Sequence, residues 1–285
     1  MSLPSKRSPI LITGCSSGLG QATAMLLREA GYLTVATARN ASTLASLAEL
    51  GCETLQLDVT DEDSRKAAIA EVERRHGPVG VLVNNAGYGQ YGSLEEISMD
   101  DLRRAFETNV FGLLRMSQLV MPGMRNAGRG RIVNISSLAG RVTAQGGGVY
   151  HMTKYAVEAV ADAMRAEIKP FRVDLVSVLP GPFVSPYRDK VIANIPDTDV
   201  RSAYRMFNRN VGAYMLHFLD AKTFGTMPLE KVARVVFKAA TTARPRTRYN
   251  VGFWANFGPV GRYLAGDRVV DWWMSREIPH DRLRE

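Results

Sequence analysis

Thr13-Gly14-Cys15-Ser16-Ser17-Gly18-Leu19-Gly20 is the stretch on which the reading of this chain turns. The run that leads into it, Ile10–Thr13, is short, apolar and β-branched, and the run that leaves it, Leu19–Ala30, has helical spacing. Glycines between a strand and a helix let the backbone turn tightly and let a ligand approach it closely. The following helix points its unpaired amides and positive dipole end at that place. A pyrophosphate suits it, with Gly14, Ser16, Ser17, Gly18, Leu19 and Gly20 as the candidate contacts. The spacing is G-x-x-x-G-x-G rather than G-x-G-x-x-G. Tight strand-to-helix turns use glycine anyway, so the position at the start of the chain carries more weight than the motif.

Outward from this loop the texture alternates. Short β-branched runs recur at Leu33–Thr37, Val79–Val83, Arg131–Ile135 and Val173–Leu179. Helical spacing fills Asp63–His76, Met99–Met124 and Tyr150–Lys169 between them. Strands that alternate with helices predict crossover units and a doubly wound parallel sheet in a three-layer α/β/α arrangement. Near-continuous apolar strands suit burial on both faces. No internal repeat or low-complexity linker divides the chain, so a single domain is expected over residues 8–253. After Pro186 the pattern lapses into an irregular segment rich in Met, Phe and Tyr, and residues 185–226 form a candidate helical substrate lid. Ordinary core or subunit packing is the other reading of that segment. The alternation resumes with a helix over Pro228–Thr242 and a last strand over Tyr249–Phe253. Residues 254–285 form an extension carrying Trp254, Phe257, Tyr263, Trp272 and Trp273, which must cover core, partner or ligand.

Composition narrows the class further. The chain has 285 residues, of which 46% are hydrophobic, enough to fill a core. Its apolar runs fall far short of the roughly 20 residues that cross a bilayer. Met1–Ser8 has no apolar signal core, and two cysteines make neither a disulfide scaffold nor a zinc site. A cytoplasmic home and no metal are expected. The net charge of +8 would draw polyanions, but the arginines are scattered, and no nucleic-acid motif accompanies them. No nucleic-acid partner is expected. Arg262, Asp267 and Arg268 make no clear basic face, which argues against a tail lying on a membrane surface.

Three further groups point to chemistry. The second strand ends at Thr37-Ala38-Arg39-Asn40, where a carboxylate would grip a ribose diol. No Asp or Glu lies between Glu29 and Glu49, and the Arg39 fork suits a 2′-phosphate. The expected cofactor is therefore NADP(H), unless Arg39 is simply an exposed loop residue. Tyr150 and Lys154 stand four apart at the start of a helix, on one face. An ammonium beside a phenol favours the phenolate, which tunes a general acid/base. Tyr-x-x-x-Lys is common on solvated helices, so its companions matter. Ser136 and Ser137 end one strand at the edge where α/β sheets bind ligands, Asn84 and Asn85 end another, and Asn109 is a poor helix former inside a helical segment.

Together, Thr13-Gly14-x-x-x-Gly18-x-Gly20, Asn84-Asn85-Ala86-Gly87, Ser137, Tyr150-x-x-x-Lys154 and Pro180-Gly181 resemble the short-chain dehydrogenase/reductase family. The likeness is strong over residues 8–185 and weaker to residue 252. It implies a Rossmann fold, a nicotinamide cofactor and alcohol–carbonyl redox chemistry of the ketoreductase type. It implies Tyr150 as general acid/base, and Lys154 as the group that lowers its pKa and bonds the nicotinamide ribose. Ser137 would hold the substrate oxygen, and Asn109 a water that links Lys154 to solvent. Asp58, followed by Val59, would meet the adenine. Asn85, Ala86, Gly87, Pro180 and Gly181 would line the cofactor, and the Ser185 hydroxyl would meet the carboxamide. Ser185 replaces the usual Thr, and Ser16-Ser17 replaces a basic residue frequent in NADP(H) members. The likeness also implies a homodimer or homotetramer through the Met99–Met124 and Tyr150–Lys169 helices. The expected substrate is a small hydrophobic carbonyl or alcohol (steroid, retinoid, fatty acyl or polyketide-like). A non-catalytic NADP(H)-binding sensor on the same fold is the rival reading.

Overall fold

Over residues 5–196 and 201–280, which the computed structural model describes, seven short strands lie parallel in one sheet. They are β1 (Ile10–Ile12), β2 (Thr34–Ala38), β3 (Glu53–Gln56), β4 (Val81–Asn84), β5 (Gly130–Ile135), β6 (Val173–Pro180) and β7 (Arg248–Val251). The helices are α1 (Gly18–Glu29), α2 (Ala45–Glu49), α3 (Glu62–His76), α4 (Met99–Phe106), α5 (Leu113–Asn126), α6 (Gly148–Ile168), α7 (Tyr187–Ala193), α8 (Arg205–Phe218), α9 (Leu229–Thr241), α10 (Phe253–Ala265) and α11 (Asp267–Glu277). Residues 1–4 of the segment read for a signal, 197–200 of the expected lid and 281–285 of the tail lie outside the described residues.

The strand order is β3-β2-β1-β4-β5-β6-β7. Winding proceeds from β1 towards β3, then reverses and runs from β4 towards β7. The reversal leaves a crevice beyond the carboxyl ends of β1 and β4, where such sheets take ligands. The expected doubly wound Rossmann fold is the fold observed.

Side-chain alternation sorts the core into two layers. Ile10 and Ile12 of β1 pack with Ala24 and Leu27 of α1 and Val232 and Val236 of α9. Leu11, between them, points to the opposite face and packs with Ile69 and Val72 of α3 and Met116 and Val120 of α5. Both faces of the sheet are therefore apolar, which is why the strands read as unbroken hydrophobic runs. Among the described residues no helix is long and apolar enough to cross a membrane.

Several elements differ from the sequence reading. The edge strand β3, Glu53-Thr54-Leu55-Gln56, is only half-buried, so it carries too few apolar residues to announce itself. The expected helix Met99–Met124 is interrupted by a π-helical turn over Glu107–Gly112. The segment after Pro186 is not irregular: it holds α7 and α8. Phe207, Val211 and Met215 recur every four residues and face inward together. Gly252 adopts φ +91° and ends β7 before Phe253 opens α10.

Charge scattered in the sequence is partly consumed inside. Arg131, 4% exposed, donates to the carbonyls of Ala239, Ala240 and Thr242 at the end of α9. It also pairs with Asp174 of β6 at 3.0 Å. A cation there complements the helix dipole. Arg248 pairs with Glu158 and Asp162 on α6. Arg131→Ala would strand Asp174 and three carbonyls, far from the crevice. We expect a loss of about 3 kcal/mol in urea unfolding, with cofactor affinity unchanged.

Candidate functional site

One cavity of about 1660 Å³ runs along the carboxyl edge of the sheet, and each strand from β1 to β6 ends on it. The loop after β1 brings Gly14, Ser16, Ser17, Gly18 and Leu19 to its wall. Arg39 follows β2, and Asp58 and Val59 follow β3. Asn85, Ala86 and Gly87 follow β4, Ser136 and Ser137 follow β5, and Pro180, Gly181 and Ser185 follow β6. Tyr150 and Lys154 of α6 complete the lining. Two of the expected residues stand behind the wall. Gly20 packs under the loop, and Asn109 sits in the π-helical turn.

The glycine loop packs so closely on itself and on the loop after β4 that two of its glycines admit no side chain. Gly14 has φ +73°, and a Cβ there would lie 2.9 Å from Ala86 Cα. At Gly20 a Cβ would lie 2.4 Å from Gly14 O and 2.5 Å from Asn85 Nδ2. Asn85 holds the turn by donating from Nδ2 to Thr13 O at 2.8 Å and Gly14 O at 3.0 Å. Thr13 Oγ1 accepts from the backbone N–H groups of Asn85 and Ala86, both at 3.0 Å. This hydroxyl is a brace the sequence reading missed, although Thr13 opens the quoted stretch. Ser17 caps α1 without a side-chain bond, so the first amides face the cavity for an anion. Arg39 is exposed at the rim, and among the described residues its side chain has no hydrogen bond or ion pair. Asp58 Oδ1 accepts from the N–H and hydroxyl of Thr60, which leaves Oδ2 for a ligand. Arg104 of α4, which no sequence signal marked, also reaches the rim, and the charges of Arg104 and Arg39 both act on Tyr88.

At the reaction end, Lys154 is almost wholly buried and donates from Nζ to Ile135 O at 2.8 Å. The ammonium stands 5.8 Å from the centroid of the Tyr150 ring. Tyr150 packs against Tyr91, with centroids 5.5 Å apart. Ser137 Oγ accepts from Ala139 N at 3.1 Å, which fixes the hydroxyl at the end of β5. Ser136 Oγ is buried without a partner among the described residues. Asn109 clamps Tyr88 from both sides, with Oδ1 accepting from Tyr88 N at 3.0 Å and Nδ2 donating to Tyr88 O at 2.8 Å. Nδ2 also donates to Thr153 Oγ1 at 3.1 Å, one residue from Lys154. The π-helical turn that lets Asn109 do this is a distortion frequent at functional sites.

Beyond Tyr150 the cavity becomes apolar. Val211, Met215 and Phe218 of α8 form one wall, Phe253, Trp254 and Phe257 of α10 another, and Trp273 and Met274 of α11 a third. Gln145, five residues before Tyr150, ties the tail down by donating to Met274 O at 2.6 Å and Ile278 O at 3.1 Å. Trp254, Phe257 and Trp273 of the tail thus line the cavity, whereas Tyr263 and Trp272 are exposed. The sequence showed only that the tail had to cover something.

With that geometry in hand, known proteins can be set beside the chain. A family model described as short chain dehydrogenase matches residues 8–196. Retinol dehydrogenase 5 of Mus musculus is 32% identical over 288 residues, spanning 95% of this chain and 88% of the relative. The 17-beta-hydroxysteroid dehydrogenase type 1 of Homo sapiens is 32% identical over 259 residues, spanning 85% and 77%. A short-chain dehydrogenase from Streptomyces avermitilis superposes with a TM-score of 0.76 at 29% identity, covering 93% of this chain and 96% of that one. A metagenomic short-chain oxidoreductase in complex with NADP superposes with a TM-score of 0.67 at 25% identity, covering 87% and 98%.

Burial pushes the Lys154 pKa down to about 8, against the opposing charge of Glu158 one turn on. The unfolded chain holds that proton to about 10.5. Between these values the unfolded state binds more protons, so stability contributed by this group rises with pH. Lys154→Met removes the rise. From about pH 8 to pH 10.5, urea titrations should show wild type gaining roughly 3 kcal/mol relative to the variant, at about 1.4 kcal/mol per tenfold change in proton affinity.

Proposed function

This chain belongs to the short-chain dehydrogenase/reductase family, an oxidoreductase family that acts on small molecules, and we propose that it interconverts a secondary alcohol and a carbonyl with NADP(H). The observation that carries the proposal is convergence: Tyr150, Lys154 and Ser137 line the same cavity as the glycine cradle and Arg39.

The residues present fit a phosphorylated dinucleotide. The cradle excludes a Cβ at Gly14 and Gly20, and the open amides of α1 suit a pyrophosphate. Arg39 would fork onto a 2′-phosphate that a carboxylate would repel. Asp58 and Val59 would face the adenine, and Asn85, Ala86, Gly87, Pro180, Gly181 and Ser185 the remainder. When bound, the nicotinamide supplies or accepts the hydride.

Every other step falls to the chain. Ser137 Oγ–H holds the substrate oxygen. In reduction Tyr150 gives that oxygen its proton, and in oxidation it takes the proton back. Lys154 still carries its charge at pH 7, below its depressed pKa, and the ammonium favours the phenolate that remains. Asn109, joined to Lys154 through Thr153, would hold the water that returns protons from solvent.

The apolar walls beyond Tyr150 support a hydrophobic substrate, such as the retinoid and steroid classes named for the two relatives. Residues 8–253 would be the catalytic domain, 185–226 its lid, and the tail from residue 254 a second cover. Phe111, Met152 and Tyr155 expose apolar surface around α5 and α6, which supports pairing of those helices with a second copy.

Tyr150→Phe should cut turnover about 1000-fold, within the range of general acid/base catalysis, while titration of NADPH fluorescence finds binding intact. Wild-type activity in that variant ends the mechanism. Arg39→Asp should reverse the NADPH-over-NADH preference in kcat/KM by at least about tenfold, as expected for a lost charge-assisted hydrogen bond. An unchanged preference removes the 2′-phosphate assignment.

A further inference from the structure

Next to Tyr150 on α6 stands a polar group that the proposed reaction does not use. His151 is 8% exposed and lines the cavity. Its Nδ1 lies 2.6 Å from Val142 O and 3.2 Å from Ala139 O. Carbonyl oxygens only accept, so Nδ1 carries the proton and donates. Burial lowers the imidazole pKa and outweighs the Nδ1 bonds to Val142 O and Ala139 O, which favour the charged ring; the charge of Arg262 adds a smaller push downward. The ring is therefore neutral at pH 7. A neutral ring protonated at Nδ1 has a bare lone pair at Nε2.

That lone pair has no partner among the described residues. Gly147 keeps its edge uncovered: a Cβ there would stand 2.6 Å from Nε2. The imidazole packs edge-on against Tyr150, with ring centroids 6.2 Å apart, so both side chains border the same part of the cavity. The lining beyond is apolar at Val211, Met215 and Phe257 and polar at Thr143, Gln145 and Arg262. A ligand that fills this end and offers no donor leaves a buried acceptor unpaired, which costs affinity.

We infer that His151 Nε2 accepts a hydrogen bond from a hydroxyl group of the substrate, so that this site selects hydroxylated apolar ketones over their deoxy analogues. The inference rests on the oxidoreductase reading and narrows its substrate class. His151 thereby acts as a specificity residue, while Tyr150 and Lys154 keep the chemistry.

The test compares acetophenone with its 2′-, 3′- and 4′-hydroxy isomers as probes, with NADPH, on wild type, His151→Leu and His151→Gln. In wild type one hydroxy isomer should exceed acetophenone about tenfold in kcat/KM, the worth of one buried hydrogen bond. In His151→Leu that ratio should fall to about one. His151→Gln, which keeps an acceptor oxygen, should restore part of it. The ratio is internal to each protein, so damage to the fold moves both probes and leaves it unchanged. No favoured isomer in wild type, or the same preference in His151→Leu, overturns the inference. Calorimetry on the NADPH-loaded proteins separates the two readings. Wild type that reduces no probe but binds one hydroxy isomer more tightly than acetophenone keeps the His151 inference and sinks the reaction. Neither turnover nor discrimination in binding sinks both.

Discussion

The site hangs on the clamp between the ends of β1 and β4. Asn85 donates to Thr13 O and Gly14 O, and Thr13 Oγ1 accepts from the amides of Asn85 and Ala86. These are adjacent strands in space but 71 to 73 residues apart in sequence. The clamp closes the place where the winding of the sheet reverses, and it holds open the turn that a phosphate would enter. Without it the glycines would give the loop freedom and nothing to fix it. With it, flexible residues become a rigid cradle, and a Cβ at Gly20 has nowhere to go.

A second constraint is the burial of Lys154. An ammonium out of water is costly unless paired, and here it donates to Ile135 O at the end of β5. The same bond ties α6 to the strand that carries Ser137. Position and charge are thus linked: the contact that makes burial tolerable also sets the lysine beside Tyr150. Asn109 extends the linkage, since it fastens Tyr88 after β4 and Thr153 on α6 in one π-helical turn.

The opposite end of the cavity follows different rules. Its walls come from α8, α10 and α11, which lie outside the alternating pattern and contribute mainly apolar bulk. Polar contacts there tie distant segments together, such as Gln145 to the carbonyls of Met274 and Ile278. A hydrogen-bonded frame at the ends of the strands is therefore joined to a chamber with largely apolar walls. His151 packs beside Tyr150 and lines the same cavity.

The parallel sheet was legible in the sequence because both of its faces are buried, so the inner strands had to be mostly apolar. The glycine turn was legible because only glycine tolerates the close approaches at Gly14 and Gly20. Spacing on α6 placed Tyr150 and Lys154 on one face for the same local reason, since a helix repeats every few residues. The edge strand β3 was not legible, being half-covered and half-polar, and the π-helical turn left only the mark of Asn109, a poor helix former inside a helical segment. Only the tertiary structure decided that Ser137, Arg39 and the aromatic tail share one cavity, that Arg131 is spent on the end of α9, and which nitrogen of His151 is left bare. Those facts depend on contacts between residues far apart in the chain, and local sequence carries no record of which distant carbonyl or helix end a side chain will meet.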